Sequence, residues 1–436
     1  MYRKFYNELE EWENKKIKEP MLIIGARQVG KTWIIKKFCE EKYDKYVYIN
    51  LEEQQSIISV FNGDLTPEVI LNNLSMILGK KIDSNTTIVF DEIQQSERAI
   101  NSLKYFCEAK ENYRIICAGS LLGVKINKFS SSFPVGKVYI KHMYPMDFEE
   151  FLLALGEDIL RDGIVNAYKN MTYLPEAVHN KALKIYHDYL MIGGMPQAVR
   201  YFVENGKSVI DFNRDIISYI RLAYMADMTK YVSNASESAK ITAVYESIPR
   251  QLARENPKFK YKEVRGTAIK RDYYAPIDWL NASGMIYKIN KLEAVERPLK
   301  AYENADSFKI YMSDVAILSE ICKMSYNDML PDTHNIYKGA VIENYVIEQL
   351  MQSNNDLYYY KPSESMEIDL ITYIDDKVIP IEIKSGRHKK STSLKNYMEK
   401  YSPEYSIRIS ENNFGMVNSI KSVPLYAAFC ILNVNI

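Results

Sequence analysis

Near the N-terminus the sequence reads Gly25-Ala26-Arg27-Gln28-Val29-Gly30-Lys31-Thr32, which fits the pattern G-x-x-x-x-G-K-[ST] at every position. A short apolar run, Leu22–Ile24, precedes this stretch, and a helical pattern over 33–41 follows it. A glycine-rich turn between a buried strand and a helix directs backbone N–H groups and the positive end of the helix at a phosphate chain. The stretch therefore predicts a nucleotide-binding loop at the end of a strand of an α/β sheet.

The residue types in this loop each have a physical role. Gly25 and Gly30 let the backbone approach phosphates without interference from a Cβ atom. We expect Lys31 to reach the β- and γ-phosphates and the Thr32 hydroxyl to ligate Mg²⁺. All eight residues of the loop, together with Trp33 at the start of the helix, are candidate nucleotide-binding residues.

Two further strands end in polar residues. The apolar run Thr87–Phe90 is followed by Asp91 and Glu92. A carboxylate at a strand tip beside the loop can hold Mg²⁺ through water, which is the role expected of Asp91, and Glu92 is placed to polarise water as a general base. The run 114–118 leads to Ser120, which we expect either to sense the γ-phosphate or to lie in an ordinary turn.

The distribution of apolar runs predicts the organisation of the chain. Short strands alternate with helices over the first 150 residues, which indicates a parallel sheet covered on both faces. The pattern is helical over 148–231 and mixed over 237–318, and the last part begins with a helix over 339–352 followed by alternating strands. The predicted domains are 1–150, 151–235, 236–331 and 332–436.

Several stretches carry a resemblance to a known family: GARQVGKT at 25–32, FDEIQ at 90–94, CAGSLLG at 117–123, FPVGKV at 133–138 and MIGGMP at 191–196. The chain resembles prokaryotic AAA-type P-loop ATPases that carry a C-terminal restriction-endonuclease-like domain of unknown function. The resemblance implies ATP and Mg²⁺ as cofactors, ATP hydrolysis as the activity, and a helical lid marked by the GGMP segment. It identifies no arginine finger. Arg98 and Arg200 are both candidates, and a finger acting in trans would need an oligomer or a partner.

The middle of the chain is locally basic. Residues 249–300 contain 12 Lys or Arg against 6 Asp or Glu. A helical run over 248–256, a second helix over 274–283 and probable strands after Gly284 resemble a winged helix. The basic side chains that could engage backbone phosphates are Lys258, Lys260, Lys262, Arg265, Lys270 and Arg271. A protein-contact module or a solvated face is the alternative.

Two alternating stretches near the C-terminus, 366–373 and 378–384, flank Asp375-Asp376 and predict a β-hairpin. With the turn at 375–376, Asp369 lies opposite Glu382, with Cβ atoms about 5 Å apart, and Glu367 lies opposite Lys384. A turn shifted by one residue would instead put Ile371 opposite Glu382.

The hairpin resembles the D…E-x-K signature of restriction-endonuclease-like nucleases, with Glu343 as an additional helical acid. The resemblance implies that Glu343, Asp369 and Glu382 hold a divalent metal and that Lys384 acts on the nucleophile or the phosphate. Two alternatives stay open, a cross-strand charge pair and a nuclease fold that binds without cutting. Candidate nucleic-acid contacts downstream are Arg387, Lys389, Lys390 and Lys395.

The composition restricts the class of protein. The 436 residues suggest about three domains, and 56 basic against 56 acidic residues provide no global charge for coating a polyanion. The five scattered cysteines include no C-x-x-C pair, which favours a reducing compartment. No apolar stretch is long enough to span a bilayer, and the N-terminus has no apolar signal core. We therefore expect a cytoplasmic protein without a membrane partner.

The sequence thus predicts an α/β, AAA-type ATPase with a P-loop parallel sheet, a helical lid, a winged-helix-like middle module and a restriction-endonuclease-like C-terminal domain. Three hypotheses stay open for its function. It is an ATP-gated nuclease, a nucleotide switch that binds DNA or another nucleic acid without cutting, or an ATPase that remodels a protein partner. A homo-oligomer is also among the expected assemblies.

Overall fold

A computed structural model describes residues 1–16, 18–120, 123–124, 133–230, 234–254, 257–330, 333, 335–353, 355–363, 366–386 and 392–433. The chain forms two compact units. The N-terminal unit comprises 3–144 and 282–284, and the C-terminal unit comprises 1–2, 145–281 and 285–436.

The N-terminal unit contains a parallel sheet, as predicted. Its strands are β1 (Met21–Ile24), β2 (Tyr46–Asn50), β3 (Thr87–Asp91), β4 (Ile115–Gly119) and β5 (Tyr139–His142). They lie in the order β2-β3-β4-β1-β5, and every neighbouring pair is parallel. Every residue of β1, β3 and β4 is buried, which explains why these strands read as continuous apolar runs. The fifth strand alternates in burial and was not predicted.

One helix precedes the first strand, and others lie between successive strands. They are α1 (Phe5–Glu13), α2 (Lys31–Lys42), α3 (Pro67–Leu78) and α4 (Glu97–Glu108), with 3₁₀ segments at Gln55–Asn62 and Ile93–Gln95. Ser96 caps α4 by accepting a hydrogen bond from the backbone N–H of Ala99. Apolar side chains of the sheet, including Leu22 and Phe90, form one buried cluster with side chains of α3 and α4. This packing fixes the strand ends that carry the polar residues.

The C-terminal unit begins with helices, as the pattern over 148–231 predicts. They are α5 (Phe148–Ala154), α6 (Asp158–Asn170), α7 (Glu176–Ile192), α8 (Pro196–Glu204), α9 (Asp215–Lys230), α10 (Ala235–Leu252), α11 (Tyr261–Val264), α12 (Lys270–Ala282), α13 (Val315–Ile321), α14 (Tyr326–Met329), α15 (Lys338–Met351) and α16 (Thr392–Tyr401). Short 3₁₀ segments lie at Leu299–Tyr302 and Leu425–Cys430.

Among the described residues, eight strands of this unit form one mixed sheet. They are β6 (Ile286–Leu292), β7 (Glu303–Met312), β8 (Tyr358–Ser363), β9 (Met366–Ile374), β10 (Lys377–Ile383), β11 (Ser406–Ser410), β12 (Gly415–Val417) and β13 (Ile420–Pro424). Their order is β12-β13-β11-β10-β9-β8-β6-β7. The hairpin β6–β7 therefore shares a sheet with strands beyond residue 332. The predicted boundary near 332 divides this sheet, and the four-domain division stays a prediction.

The predicted hairpin turn is confirmed. Ile374 pairs with Lys377, and the antiparallel ladder continues to the pair Leu370 and Ile381. Asp375 and Asp376 both have positive φ, at 47° and 58°, as a two-residue turn matching the strand twist requires. The shifted register that would put Ile371 opposite Glu382 is excluded, because Ile371 pairs with Pro380.

The GGMP segment joins α7 to α8 at a buried carboxylate. Gly193 has φ of 72°, and a Cβ atom there would lie 2.4 Å from Asp314 Oδ1. The N–H of Gly194 donates to Asp314 Oδ2 at 2.8 Å, and a Cβ on Gly194 would lie 2.0 Å from the carbonyl oxygen of Met146. The two glycines thus allow a close backbone approach within the C-terminal unit. Among the described helices, none has the length and apolar character needed to cross a membrane.

Candidate functional site

The glycine-rich loop follows β1 and opens α2, as predicted. Gly30 precedes the first helical residue with φ of 98°, in the left-handed region. A Cβ atom on Gly25 would lie 2.2 Å from the carbonyl oxygen of Met143. Only glycine therefore fits at position 25 without moving the backbone, and the start of α2 faces the concavity of the loop.

Lys31 is held over the loop by uncharged partners. Its Nζ donates to the carbonyl oxygens of Gly25 at 2.8 Å and Ala26 at 2.7 Å, and its side chain is buried. Carbonyl oxygens satisfy the hydrogen-bonding capacity of an ammonium group without neutralising its charge. These two bonds place the ammonium group of Lys31 at the loop, where the sequence predicts that it meets the phosphates.

Asp91 lies where a magnesium-binding acid of this loop is expected. The Thr32 hydroxyl donates to Asp91 Oδ2 at 2.7 Å, and the Tyr48 hydroxyl donates to the same oxygen at 2.6 Å. Asp91 is buried at the end of β3. These two donors fix the carboxylate beside the hydroxyl that would share Mg²⁺ with it, so the residues present fit the metal and the triphosphate.

Glu92 and Ser120 are in direct contact. The Ser120 hydroxyl is 3.2 Å from Glu92 Oε1 and 3.1 Å from Glu92 Oε2, and Gln94 Nε2 also donates to Glu92 Oε2. Glu92 has φ of 50°, an uncommon conformation for a residue of this type. Ser120 at the end of β4 therefore orients the proposed general base.

The remaining predicted residues of this site lie around its edge. Arg27 Nη2 is 3.9 Å from Glu52 Oε2, and Gln28 adopts a left-handed conformation in the turn of the loop, with φ of 65°. Val29 is fully buried. Trp33 is 46% exposed, so its ring is accessible to a ligand rather than part of the core.

The two arginine-finger candidates differ in their surroundings. Arg98 donates through Nη2 to the carbonyl oxygen of Gly63 at 2.6 Å and through Nε to that of Phe61. These bonds connect α4 to the end of the 3₁₀ segment Gln55–Asn62 and to the glycine after it. Arg200 is exposed and lies 3.8 Å from Glu204 on the same helix. Neither contact tests a role in hydrolysis.

In the C-terminal unit a cleft of about 380 Å³ contains most of the predicted carboxylate site. Its lining includes Glu343 from α15, Asp369 from β9, and Lys384 directly after β10. The cleft also contains two residues outside the predicted set, Lys309 from β7 and Glu367 from β9. The helix and the hairpin thus bring together three of the four residues that the nuclease resemblance implies.

Lys309 joins two of the acids. Its Nζ is 3.0 Å from Glu343 Oε1 and 2.9 Å from Glu367 Oε1, and its side chain is 1% exposed. Burial disfavours the ammonium charge, but Glu343, Tyr311 and Glu367 together hold the pKa of Lys309 well above its usual value. Lys309 is therefore a charged lysine enclosed by carboxylates.

Asp369 and Glu382 differ in their environments. Asp369 Oδ2 accepts a hydrogen bond from the backbone N–H of Ile383 at 2.7 Å. Burial, and next the negative charge of Glu343, raise the pKa of Asp369 to about 7. Glu382 is also buried, but its Oε1 lies 2.9 Å from Lys384 Nζ and its Oε2 lies 3.8 Å from Arg408 Nε.

The expected set of three metal-binding acids is not brought together. Within the described parts of the chain, no three His, Cys, Asp or Glu side chains are grouped so that they could hold a metal ion. Glu343 and Asp369 share the cleft, whereas Glu382 is not part of its lining. Lys384 contacts Glu382 rather than Glu367, whose carboxylate is engaged by Lys309 and by Lys361 at 3.1 Å.

The basic segment in the middle of the chain is exposed. All six predicted side chains, from Lys258 to Arg271, are exposed, and the segment follows the order α10, α11, α12 and then the hairpin β6–β7. Lys270 is paired with Asp306. Of the downstream candidates, Arg387, Lys389 and Lys390 lie outside the described residues, and Lys395 is on α16.

Three residues that contact the acids of these sites were missed from sequence. Tyr48 lies on β2, and an adjacent parallel strand contributes the acid it contacts. Lys309 and Tyr311 interrupt an otherwise apolar stretch at alternate positions of β7, and both contact Glu343. A polar residue at every second position of a buried strand was the available signal.

A parallel sheet with a glycine-rich loop after β1, and an acid at the tip of β3 bonded to the loop threonine, define a P-loop nucleotide-binding domain. Residues 17–152 match the family model described as AAA domain, which supports a P-loop ATPase of the AAA type over this part of the chain. Residues 183–328 and 338–428 match two families described as domains of unknown function, DUF8612 and DUF4143. No curated relative matches the chain.

Solved structures provide only distant similarities. The Walker-type ATPase PABY2304 of Pyrococcus abyssi is 17% identical, with 73% of this chain and 94% of that chain covered and a TM-score of 0.44. The ORC2 protein of Aeropyrum pernix is 13% identical, with coverage of 74% and 93% and a TM-score of 0.34. DnaA from Aquifex aeolicus is 15% identical, with coverage of 64% and 89% and a TM-score of 0.30. TM-scores below 0.5 carry no argument about function.

Proposed function

We propose that the protein binds and hydrolyses ATP with Mg²⁺ at the P-loop of the N-terminal unit. The contact between the Thr32 hydroxyl and Asp91 carries this proposal, because it joins the two groups that would hold the metal. Lys31 and the loop N–H groups bind the phosphates, and Glu92, oriented by Ser120, accepts a proton from the attacking water. When bound, ATP would supply the phosphoryl group and Mg²⁺ would neutralise part of its charge.

The test is release of inorganic phosphate from ATP by the full-length protein. We expect Lys31→Ala to weaken binding of a fluorescent ATP analogue and to abolish turnover. Glu92→Gln should keep binding and lower turnover by about 10²-fold or more. The matched control is Lys104→Ala, an exposed lysine on α4, which should change neither. Turnover that survives both Lys31→Ala and Glu92→Gln would refute the proposal.

We infer that the C-terminal unit binds nucleic acid and that the nucleotide state controls this binding. The exposed basic segment from Lys258 to Arg271 supports the inference, because clustered exposed lysines and arginines bind phosphate backbones. Support also comes from the order of three helices and a hairpin, which resembles that of a winged helix. The support for control by nucleotide is that one chain contains both units.

Binding to labelled single- and double-stranded DNA and RNA tests this inference, with and without ATP. Charge reversal at Lys258, Lys260 and Lys262 should weaken binding and reduce its salt dependence. The same reversal at Lys80 and Lys81, exposed in the N-terminal unit, is the control. Affinity that responds to neither salt nor these substitutions would instead favour the hypothesis of a protein-remodelling ATPase.

The geometry of the cleft favours binding of nucleic acid without cleavage. Lys309 occupies the space between Glu343 and Glu367, and Glu382 is engaged by Lys384 and Arg408. Incubation of each nucleic acid with Mg²⁺ or Mn²⁺ should therefore give no cleavage. Cleavage that disappears in Asp369→Ala would establish the ATP-gated nuclease instead.

A further inference from the structure

We propose that Lys309 is the resident cation of the C-terminal carboxylate cluster and that this cleft takes no divalent metal ion. The inference rests on the proposed function and deepens it, because a C-terminal cleft without a divalent metal fits binding without cleavage. It does not depend on ATP hydrolysis.

The first argument is position. Lys309 Nζ lies within 3.0 Å of one oxygen of Glu343 and one of Glu367, on two different elements of the fold. A metal ion that bridges two carboxylates occupies this kind of position. The Tyr311 hydroxyl donates to the same Glu343 oxygen, and Lys309 Nζ is also 5.1 Å from the centre of the Tyr359 ring. The ammonium group is therefore enclosed on several sides.

The second argument is charge. Three described acids of this region form ion pairs: Glu343 and Glu367 with Lys309, Glu367 also with Lys361, and Glu382 with Lys384 and Arg408. Asp369 also lines the cleft, where it interacts with the positive charges of Lys309 and Lys384. A divalent ion here would add two positive charges next to a buried ammonium group. Like charges a few ångströms apart in a buried site repel strongly, so metal binding would require Lys309 to leave.

The third argument is cost. Lys309 is almost completely enclosed, and moving its ammonium group out would remove the lysine partner of Glu343 and one of the two lysine partners of Glu367, both of which are largely buried. Breaking a buried ion pair from one side is strongly unfavourable. Lys361 and Lys384 cannot replace Lys309, because each is already engaged by an acid of its own. The arrangement is thus stable only with Lys309 in place.

The experiment measures Mn²⁺ binding by calorimetry to the full-length protein without nucleotide. Wild type, Lys309→Met, Lys309→Met/Glu343→Gln and Glu343→Gln are compared, so that metal bound at the P-loop acids contributes equally to all four. We expect no Glu343-dependent binding in wild type. We expect Lys309→Met to bind Mn²⁺ at least about tenfold more tightly than wild type, since a like charge has been removed, and the double variant to lose this gain.

Lys361→Met is the matched control, because Lys361 pairs with the second oxygen of Glu367 and its removal leaves Lys309 between the two acids. It should not acquire Mn²⁺ binding. Wild-type binding that Glu343→Gln abolishes would overturn the proposal, as would a folded Lys309→Met that binds no more Mn²⁺ than wild type. If Lys309→Met is unfolded without metal, we expect Mn²⁺ to restore its folding. In that case the titrations of wild type and Glu343→Gln still show whether the native cleft binds Mn²⁺.

Discussion

Each unit of the protein contains a buried lysine in its candidate site, and the two lysines differ in their hydrogen-bond partners. Lys31 donates to two backbone carbonyl oxygens, whereas Lys309 lies between two carboxylates. A carbonyl partner leaves the charge of the ammonium group available, and a carboxylate partner compensates it. A lysine of a candidate site must therefore be judged by the groups it contacts, since the charge of Lys309 is compensated within the site by Glu343 and Glu367.

The acids of the two sites differ in the same way. Asp91 is held by the uncharged hydroxyls of Thr32 and Tyr48, so its negative charge is left for a cation. Glu367 is held by Lys309 and Lys361. Burial acts to raise its pKa, but the two lysines hold the pKa of Glu367 below its usual value. The P-loop site is thus prepared for a charged ligand, and the C-terminal cluster is internally neutral.

The largest expected effect separates the two lysines by stability. Lys309→Ala should destabilise the C-terminal unit by about 3 kcal/mol, because it removes a buried cation from between two largely buried carboxylates. Lys31→Ala should destabilise the N-terminal unit by only about 1 kcal/mol, because neutral carbonyl oxygens lose a single donor. Hydrogen exchange resolved by peptide measures both, with β7 and β9 reporting one unit and β1 and β3 the other.

Lys361→Ala is the control for this prediction, since its ion pair with Glu367 is partly solvated and should contribute less. Equal losses of protection in Lys31→Ala and Lys309→Ala would contradict the comparison. So would a Lys309→Ala variant with wild-type protection in β7.

A smaller effect concerns Asp314, a fully buried acid whose hydrogen bonds come from backbone N–H groups. Asp314 accepts hydrogen bonds from the backbone N–H groups of Gly194, Ala316 and Ile317. Burial nevertheless raises its pKa from 3.8 to about 6. The folded state then binds the proton of Asp314 more tightly than the unfolded state does. Protonation of Asp314 therefore adds to the free energy of unfolding; this stabilisation is complete below about pH 4 and is lost as pH rises through about 6. The shift corresponds to roughly 3 kcal/mol.

Urea unfolding of the C-terminal unit across this range of pH tests the sign. Asp314→Asn should be less stable than wild type at low pH and should lose less stability as pH rises. Glu348 lies close by on α15, and burial, and next the charge of Asp314, raise its pKa too. Glu348→Gln should therefore flatten the remaining slope. A wild-type stability that increases between about pH 4 and 6 would show that lysine-paired acids such as Glu367 dominate instead.

The local parts of the fold were predictable from sequence, and their long-range partners were not. The strand Met21–Ile24, the loop after it and the following helix are adjacent in the chain, so the local sequence is sufficient to predict all three. The hairpin turn at Asp375-Asp376 was predictable for the same reason. β5 was missed because it is half exposed and lies beyond a long connection.

The composition of the C-terminal site could be predicted only in part. The positions of Glu343 on a helix and Asp369 on a strand were predictable from the local pattern. Lys309 lies on β7, which is separated from β9 by β8 and β6 in the sheet. No local rule brings β7 to that place. The rotation of Glu382 towards Lys384 and Arg408 depends on β11, whose pairing with β10 is likewise a property of the assembled sheet.

The smallest expected effect tests the uncharged donors of Asp91. Tyr48→Phe removes the hydroxyl that donates to Asp91 Oδ2 and leaves the Thr32 hydroxyl in place. A hydrogen bond to a charged acceptor contributes about 1.5 kcal/mol or more, so β2 and β3 should lose modest protection from exchange. Because Asp91 is then less firmly oriented, half-maximal ATP turnover should require more Mg²⁺, whereas affinity for the nucleotide without metal should not change.

Tyr46 provides a matched control on the same strand, two residues away. Its hydroxyl lies 3.5 Å from Glu40 Oε1 at the surface, so Tyr46→Phe should alter neither the exchange of β3 nor the requirement for Mg²⁺. An unchanged requirement in Tyr48→Phe would mean that Thr32 alone positions the acid, and the donors of Asp91 would then count as structural. A requirement that rises only in Tyr48→Phe would make Tyr48 a positioning residue, and the neutral partners of Asp91 would explain why this acid, unlike Glu367, is left free to bind a cation.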